Sequence, residues 1–142
     1  MTSIKVMRQA GYDADADGIV DSAEATVIKV TAGIGGINAY QLVMIDPITG
    51  VSIPADGTNS THAGHAVGMA LANIAEDDDG FIQQIGEIEN LAWDLDPGEI
   101  YYLAVAGTIS KMPPVTGFWQ HVGIAKDSVT LIINLGEPVK VI

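Results

Sequence analysis

The stretch that decides the fold class is "TVIKVTAGIGGINAYQLVMIDPITGVSIPA", residues 26–55. Its first seven residues alternate apolar and polar side chains, as a half-buried β-strand does. Three glycines, at positions 33, 35 and 36, then supply a turn. The apolar run "YQLVMI" is followed by "DPITG", with Pro and Gly at turn positions, and by "VSIPA". The spacing therefore predicts a β-hairpin over residues 40–55.

The rest of the chain continues in short apolar runs separated by turn residues. These runs are "AVGMALANI", "FIQQIGEI", "IYYLAV", "WQHVGIA", "SVTLIINL" and "PVKVI". "AVGMALANI" is compatible with a strand or a short helix, and its glycine and short length favour a strand. No stretch has the 3.6-residue period of an amphipathic helix. We therefore expect an all-β protein, a β-barrel or β-sandwich of about eight to ten short strands.

A weak internal repeat divides the β-rich part into two similar sets of strands, residues 39–90 and 100–142. The matched positions are Tyr40 with Tyr101, Val67-Gly68 with Val122-Gly123, and Gly86-Glu87 with Gly136-Glu137. Such a repeat predicts two similar hairpin pairs around a pseudo-twofold axis. We expect residues 1–25 to form an N-terminal arm with an acidic loop and residues 26–142 to form a single β domain.

Composition excludes several classes of function. The 142 residues suggest one domain, and the net charge of −12 would repel phosphate backbones, which argues against nucleic-acid binding. No apolar run reaches transmembrane length, and the N-terminus lacks the apolar core of a secretion signal. We therefore expect no membrane partner and synthesis in the cytoplasm. Only 17% of the residues are charged, so part of the surface is expected to lie against copies of the chain or a larger assembly.

The acidic loop "DADADGIVDSAE", residues 13–24, matches the calcium-loop pattern D-x-[DN]-x-[DN]-G-x₅-E. Ca²⁺ takes 6 to 8 oxygen ligands. Gly18 stands where such a loop turns sharply. The predicted ligands are the side chains of Asp13, Asp15, Asp17, Asp21 and Glu24 and the backbone carbonyl of Ile19.

The residues around this loop do not resemble the two helices that usually flank it. The alternative interpretation is a solvated acidic turn that links the arm to the body. If calcium binds, a structural role is favoured over signalling, because a lone loop has no second site with which to cooperate.

Other candidate sites are weaker than the acidic loop. His62, His65 and His121 could bind a metal, but solvated loop histidines are favoured. A turn is favoured for the carboxylates Asp94, Asp96 and Glu99, although paired carboxylates can hydrolyse sugars. Trp93, Trp119, Tyr101 and Tyr102 could stack on a carbohydrate, but a core or interface role is favoured. No nucleophile, zinc-protease or phosphate-loop motif is present, and we expect a non-enzymatic protein.

A longer stretch carries a family resemblance. Residues 93–142 combine a Trp and a Pro-Gly turn, a "YYL" strand, a "GTIS" turn, a "PP…G" loop and "QHVGIA" before an apolar terminal strand. The features are Trp93, Pro97-Gly98, Tyr101-Tyr102-Leu103, Gly107-Thr108-Ile109, Pro113-Pro114, Gly117, Gln120, Val122-Gly123 and Ala125. The stretch resembles a β-rich module of tailed-bacteriophage virion structural proteins, found in capsid decoration proteins and tail fibres. Upstream residues and the acidic opening are similar to that family too, so the resemblance covers residues 12–142.

The resemblance implies a virion protein and no catalytic residue. A compact β domain with a short arm suits a capsid decoration, or cement, protein that binds between major capsid subunits, most simply as a homotrimer on the capsid surface. The first alternative is a tail-fibre, baseplate or host-receptor-binding component. The second alternative is a free calcium-dependent binding module.

The calcium hypothesis makes a direct prediction. Calorimetric titration of the metal-stripped protein with Ca²⁺ should give a saturable heat, because five acidic side chains within the loop repel one another until a cation binds. Absence of any heat at millimolar metal concentrations would leave the acidic-turn interpretation.

Overall fold

The computed structural model describes residues 26–141, and these residues confirm the predicted all-β class. The described chain contains eleven strands, most of them short. They are β1 (Thr26–Thr31), β2 (Leu42–Ile45), β3 (Ser52–Pro54), β4 (Ala66–Ala70), β5 (Asp79–Glu89), β6 (Ile100–Leu103), β7 (Ile109–Ser110), β8 (Phe118–Trp119), β9 (His121–Asp127), β10 (Thr130–Asn134) and β11 (Val139–Lys140). The helical content of this part of the chain is two single 3-10 turns, at Ser60–His62 and Val105–Gly107. The predicted N-terminal arm, residues 1–25, lies outside the described residues.

Most strands belong to one antiparallel sheet that curls strongly into a half-barrel. Its strand order is β3-β2-β4-β5-β10-β9-β6-β7, and β1 pairs with β5 beside this path. Strands β8 and β11 form a separate two-stranded ribbon. Of the two predicted architectures, the curled sheet is therefore closer to a barrel than to a sandwich.

The hairpin predicted over residues 40–55 is confirmed by the pairing of β2 with β3. Val43 lies opposite Pro54 and Ile45 opposite Ser52. The turn is closed by Asp46, whose carboxylate accepts a hydrogen bond from the backbone N–H of Ile48 at 2.8 Å. Gly50 has a positive φ of 78°, a conformation that glycine adopts without steric penalty. The residues of the turn thus set the register of this hairpin.

The segment "AVGMALANI" contains strand β4, as its glycine and short length predicted.

The two halves of the sheet share one strand order. The first half runs β3-β2-β4-β5 and the second runs β7-β6-β9-β10, so the first, second, third and fourth strands of each half hold equivalent places. The fourth strands, β5 and β10, pair with each other. This order is the one that two similar hairpin pairs would produce.

The matched glycines Gly68 and Gly123 have equivalent surroundings in the two halves. Gly68 lies on β4, where a Cβ atom would stand 2.6 Å from the carbonyl oxygen of Gln83 on β5. Gly123 lies on β9, where a Cβ atom would stand 2.1 Å from the carbonyl oxygen of Ile132 on β10. In each half, the third strand thus needs a glycine because the backbone of the fourth strand passes too close for a side chain.

Two apolar clusters lie on opposite faces of the first half of the sheet. On β2, Leu42 and Met44 belong to the main core, whereas Val43 belongs to a second cluster, here called the outer core. Strand β4 divides in the same way between Met69 and Ala70. The outer core consists of Val30, Ala32, Ile37, Val43, Ala70, Ile74 and Ile82. Burial on both faces explains why these strands are continuous apolar runs rather than alternating ones.

Backbone hydrogen bonds connect the β3–β4 loop with the second half of the curled sheet. The N–H of Gly57 donates to the carbonyl of Ala104 at 3.0 Å, and the carbonyl of Gly57 accepts from the N–H of Phe118 at 2.9 Å. A Cβ atom on Gly117 would stand 2.2 Å from the Gly57 carbonyl oxygen. The two loops therefore touch backbone to backbone, above the fully buried Phe118.

The close approach at the repeated glycines predicts their sensitivity to substitution. Gly68→Ala and Gly123→Ala should each lower the free energy of unfolding by about 2–3 kcal/mol, because the added methyl group must push apart two paired strands. The measurement is urea denaturation followed by circular dichroism.

Gly64→Ala is the matched control, because a Cβ atom there meets no atom within 4 Å and the only penalty is its positive φ of 88°. That penalty is about 1 kcal/mol. Equal effects of all three substitutions would show that the two strand contacts are not the reason for these glycines.

Candidate functional site

The predicted calcium ligands Asp13, Asp15, Asp17, Ile19, Asp21 and Glu24 all lie outside the described residues, so the acidic loop stays a sequence-based prediction. Within residues 26–141, the structure does not bring three or more His, Asp or Glu side chains together in a group that could hold a metal ion.

The structure shows polar contacts for His62, in the polar loop, and for His121. The Nδ1 atom of His62 accepts a hydrogen bond from the backbone N–H of Asp56 at 3.0 Å. Burial raises the pKa of the Asp56 carboxyl group, but hydrogen bonds from the hydroxyl and N–H of Thr58 outweigh burial and hold that pKa below its ordinary value. His121 is on β9, with Nδ1 3.3 Å from the carbonyl oxygen of Asn134. His62 therefore forms a hydrogen bond within its own loop and is not a purely solvated side chain.

The carboxylates around "DPG" form a turn, as the sequence predicted. The N–H of Glu99 donates to the carbonyl of Asp96 at 3.1 Å, and Gly98 has a positive φ. The N–H of Asp96 donates to the hydroxyl oxygen of Tyr101 at 2.8 Å. A hydrogen bond to Asp96 raises the pKa of the Lys111 ammonium group. Asp96 is therefore occupied by an exposed ion pair with Lys111.

A row of isoleucines on the outer face of the sheet is the most distinctive surface feature of the described chain. Ile132 on β10 lies directly opposite Ile124 on β9, and Ile124 lies directly opposite Ile100 on β6. Ile85 on β5 extends the row, because it stands two residues before Glu87, the partner of Ile132. We call these four residues the isoleucine row. Their side chains are between 40% and 44% exposed.

A sheet face that contacts only water normally carries polar side chains at such positions. Two charged residues stand beside the row: Glu87 on β5 lies directly opposite Ile132, so Ile85 joins the row at a diagonal position rather than in line. Lys126, two residues after Ile124 on β9, forms an ion pair with Glu87 at 3.1 Å. Isolated exposed apolar residues are common, but a row on four neighbouring strands is a contiguous patch of the kind that marks an interaction surface.

An aromatic cluster continues the same face beyond Ile100. Tyr102 follows Ile100 by two residues on β6 and pairs with His121 on β9. The Tyr102 ring stands edge to face with Trp119, with centroids 6.5 Å apart, and with His121 at 6.4 Å. Trp119 is 46% exposed, and its indole N–H donates to the carbonyl of Pro114 at 2.9 Å.

The four aromatic residues proposed for carbohydrate stacking thus separate into two groups. Tyr101 is buried in the main core, and Trp93 packs against the core with Tyr40 at a centroid distance of 5.5 Å. These two have the core role that the sequence favoured. Tyr102 and Trp119 instead remain on the surface.

A shallow groove of about 320 Å³ adjoins the isoleucine row at Ile85. It is lined by Ala66, Val67, Gln84, Ile85, Asn134 and Leu135. The groove has polar amide groups beside aliphatic side chains, and it extends the row toward β4.

Sequence reasoning identified the aromatic residues but missed the isoleucine row. A signal was present in β10, where "LII" places Leu131 and Ile133 in the core and Ile132 outside. An antiparallel strand with one wet face should alternate, so the interruption of alternation marks Ile132. The pairing of Ile132 with Ile124 and Ile100 could not be found without the register.

Comparison with known proteins gives no relative from which a function could be transferred: no protein-family model and no curated protein matches the chain. Among the described residues, no helix has the length and apolar character needed to cross a membrane.

Two neighbouring positions on β9 provide a test of which face is the core. Val122→Thr should lower the free energy of unfolding by roughly 1–3 kcal/mol, because it places a hydroxyl group at a fully buried site. Ile124→Thr should cost less than about 1 kcal/mol, because Ile124 is already 42% exposed. Thermal or urea unfolding of the two variants measures the difference. A larger loss for Ile124→Thr would mean that the outer face is covered within the folded chain.

Proposed function

We propose that the chain is a non-enzymatic structural protein of a tailed-bacteriophage virion, a capsid decoration protein that stabilises the head by binding between major capsid subunits. The observation that carries the proposal is the isoleucine row, Ile85, Ile132, Ile124 and Ile100, which is apolar where a face surrounded by water would be polar. A protein that acts by covering another surface needs such a face, and the resemblance of residues 12–142 to virion modules names the class of partner.

The size of the row supports binding in several copies rather than singly. Burying the exposed part of each isoleucine contributes roughly 1–2 kcal/mol. Four such contributions are comparable to the loss of translational and rotational freedom on association, which is estimated at 4 kcal/mol or more. One copy would therefore bind weakly through this row alone. A homotrimer at a symmetric capsid position would gain from multivalency, because the second and third contacts form within one assembly.

The charge of the chain fits a dense array on a particle. The net charge is −12, and like-charged molecules remain soluble at high local concentration. The four isoleucines of the row carry no charge, and the charged residues beside it, Lys126 and Glu87, form an ion pair with each other. The contact surface can thus be apolar while the remainder of the molecule stays acidic.

The test is binding to emptied, expanded capsids of the phage that encodes the chain. The wild-type protein should attach in stoichiometric amounts and raise the melting temperature of the capsids. Ile124→Thr should bind at least about tenfold more weakly, since a loss of 1.4 kcal/mol at one contact is tenfold in affinity. Ile48→Thr is the matched control, because Ile48 is 92% exposed in the β2–β3 turn, away from the row.

Equal binding of wild type and Ile124→Thr would remove the isoleucine row from the interface. Failure of the wild-type protein to bind capsids at all would overturn the decoration role.

The aromatic cluster favours a second candidate, a host-receptor-binding component of the tail. Tyr102 and the half-exposed Trp119 present ring surfaces beside His121, and aromatic faces stack on sugar rings in many glycan-binding proteins. In that case the protein should adsorb to host cells and compete with infection, and Trp119→Ala should abolish competition while Trp93→Ala alters stability instead. The copy number per particle separates the two roles, because a head protein is present in far more copies than a tail protein.

A further inference from the structure

Strand β1 has one paired edge and one open edge. Its partner is β5, in antiparallel register from Thr26 opposite Ile85 to Thr31 opposite Asp79. Beyond the strand, the N–H of Ala32 donates to the carbonyl of Asp78, and the carbonyl of Ala32 accepts from Asp77, both at 2.9 Å. In an antiparallel strand the N–H and C=O of one residue point to the same edge and those of the next residue to the other. The backbone N–H and C=O groups of the even-numbered residues of β1 therefore point toward β5.

The backbone groups of Val27, Lys29 and Thr31 consequently point away from β5. Gly33, the next odd-numbered residue, confirms the direction, because its N–H donates to Ser52 of β3 at 2.8 Å. Within residues 26–141, the structure pairs no strand with this edge from Thr26 to Val30, and beyond it Ala32 forms an isolated parallel bridge with Ser52 of β3. An open edge of this length is a template for another strand.

The sequence contains a second copy of the β1 pattern. Residues 2–6 read "TSIKV" and residues 26–30 read "TVIKV". The two segments share Thr, Ile, Lys and Val at a constant spacing of 24 residues. Only six residues of the whole chain are basic, so the recurrence of lysine in the same setting is a specific match.

The shared residues are those with which β1 contacts the body. Val30 is buried in the outer core, and Ile28 packs against the same cluster. Lys29 points outward and lies 3.8 Å from the carboxylate of Asp79. In β1, residues on one face contact the apolar outer core, and Lys29 on the other face lies near the acidic Asp79. The same alternation of residue types is repeated in the sequence of residues 2–6.

We propose that residues 2–6 bind the open edge of β1 in the same chain, as an additional antiparallel strand. Ile4 and Val6 then lie on the face of Ile28 and extend the outer core. With Ile4 opposite Ile28, Lys5 lies opposite Val27 rather than Lys29, which avoids a like-charge cross-strand pair.

Length and charge favour the chain's own segment over that of another molecule. Residues 7–25 form the connection, and a linker of this length gives an effective concentration far above that of a second molecule in dilute solution. Residues 1–12 contain Lys5 and Arg8 and no acidic residue, whereas the whole chain has a net charge of −12. The basic segment is thus attracted to an acidic body. This inference concerns the fold of the arm and stands independently of the proposed virion role.

The experiment is hydrogen exchange of the backbone amides of Val27 and Lys29, which lie opposite Lys5 and Ser3 in this register, in the full chain at low protein concentration. Because these N–H groups point to the open edge, only an added strand protects them by pairing. We expect Ile4→Asp to speed their exchange by at least about tenfold. Ser3→Asp is the matched control, because it adds the same charge at a position that faces outward, and it should leave the two amides protected.

Three outcomes decide the proposal. Fast exchange of the two amides in the wild-type chain, or the same exchange rate in wild type and Ile4→Asp, would overturn it. Protection that increases with protein concentration would assign the edge to a second copy and overturn pairing within one chain. Protection that is independent of concentration and lost only in Ile4→Asp supports the proposal. Unchanged exchange at the amides of β9 and β10 in the variant confirms that the body remains folded.

Discussion

The structure depends on the pairing of one long strand, β5, with three others. Its first part, up to Ile85, pairs with β1, and Gln83 and Ile82 also pair with β4. Its second part, from Ile85 to Glu89, pairs with β10. Within the described residues, the two halves of the sheet are joined in its strand order by this β5–β10 ladder. The half-barrel and both cores thus rest on these eleven residues, and Gly68 on β4 lets the backbone of β5 approach closely at Gln83.

The two halves of the sheet differ in how their outer faces are covered. Strands β2 and β4 are covered by the main core on one side and the outer core on the other. In the second half, β6, β9 and β10 turn one face to the main core, and the opposite face presents the isoleucine row. The chain therefore has one covered half and one half that is apolar on the outside. This asymmetry is the observation that supports the proposed binding role.

Much of the fold could be predicted because turn and strand signals are local. Asp46, Pro47 and Gly50 define the first hairpin, and the two Val-Gly pairs mark equivalent strands in the two halves. The candidate site was harder to predict from the sequence. The aromatic residues were noticed as types, but their separation into a buried pair and a surface pair depends on which strand face each occupies. The isoleucine row is composed of residues from four strands, and no local pattern indicates that three of them lie directly opposite one another.

By itself, the sequence determined the all-β class, the position of the first hairpin and the acidic character of the molecule, because each follows from residue type and short spacing. Tertiary structure alone decided which apolar residues are core and which are surface, since a strand such as "TLIIN" is apolar on both faces and its burial depends on the strands that cover it. It also decided that β1 has an open edge. Pairing between residues far apart in the chain depends on the register of β5, and register is a property of the assembled sheet.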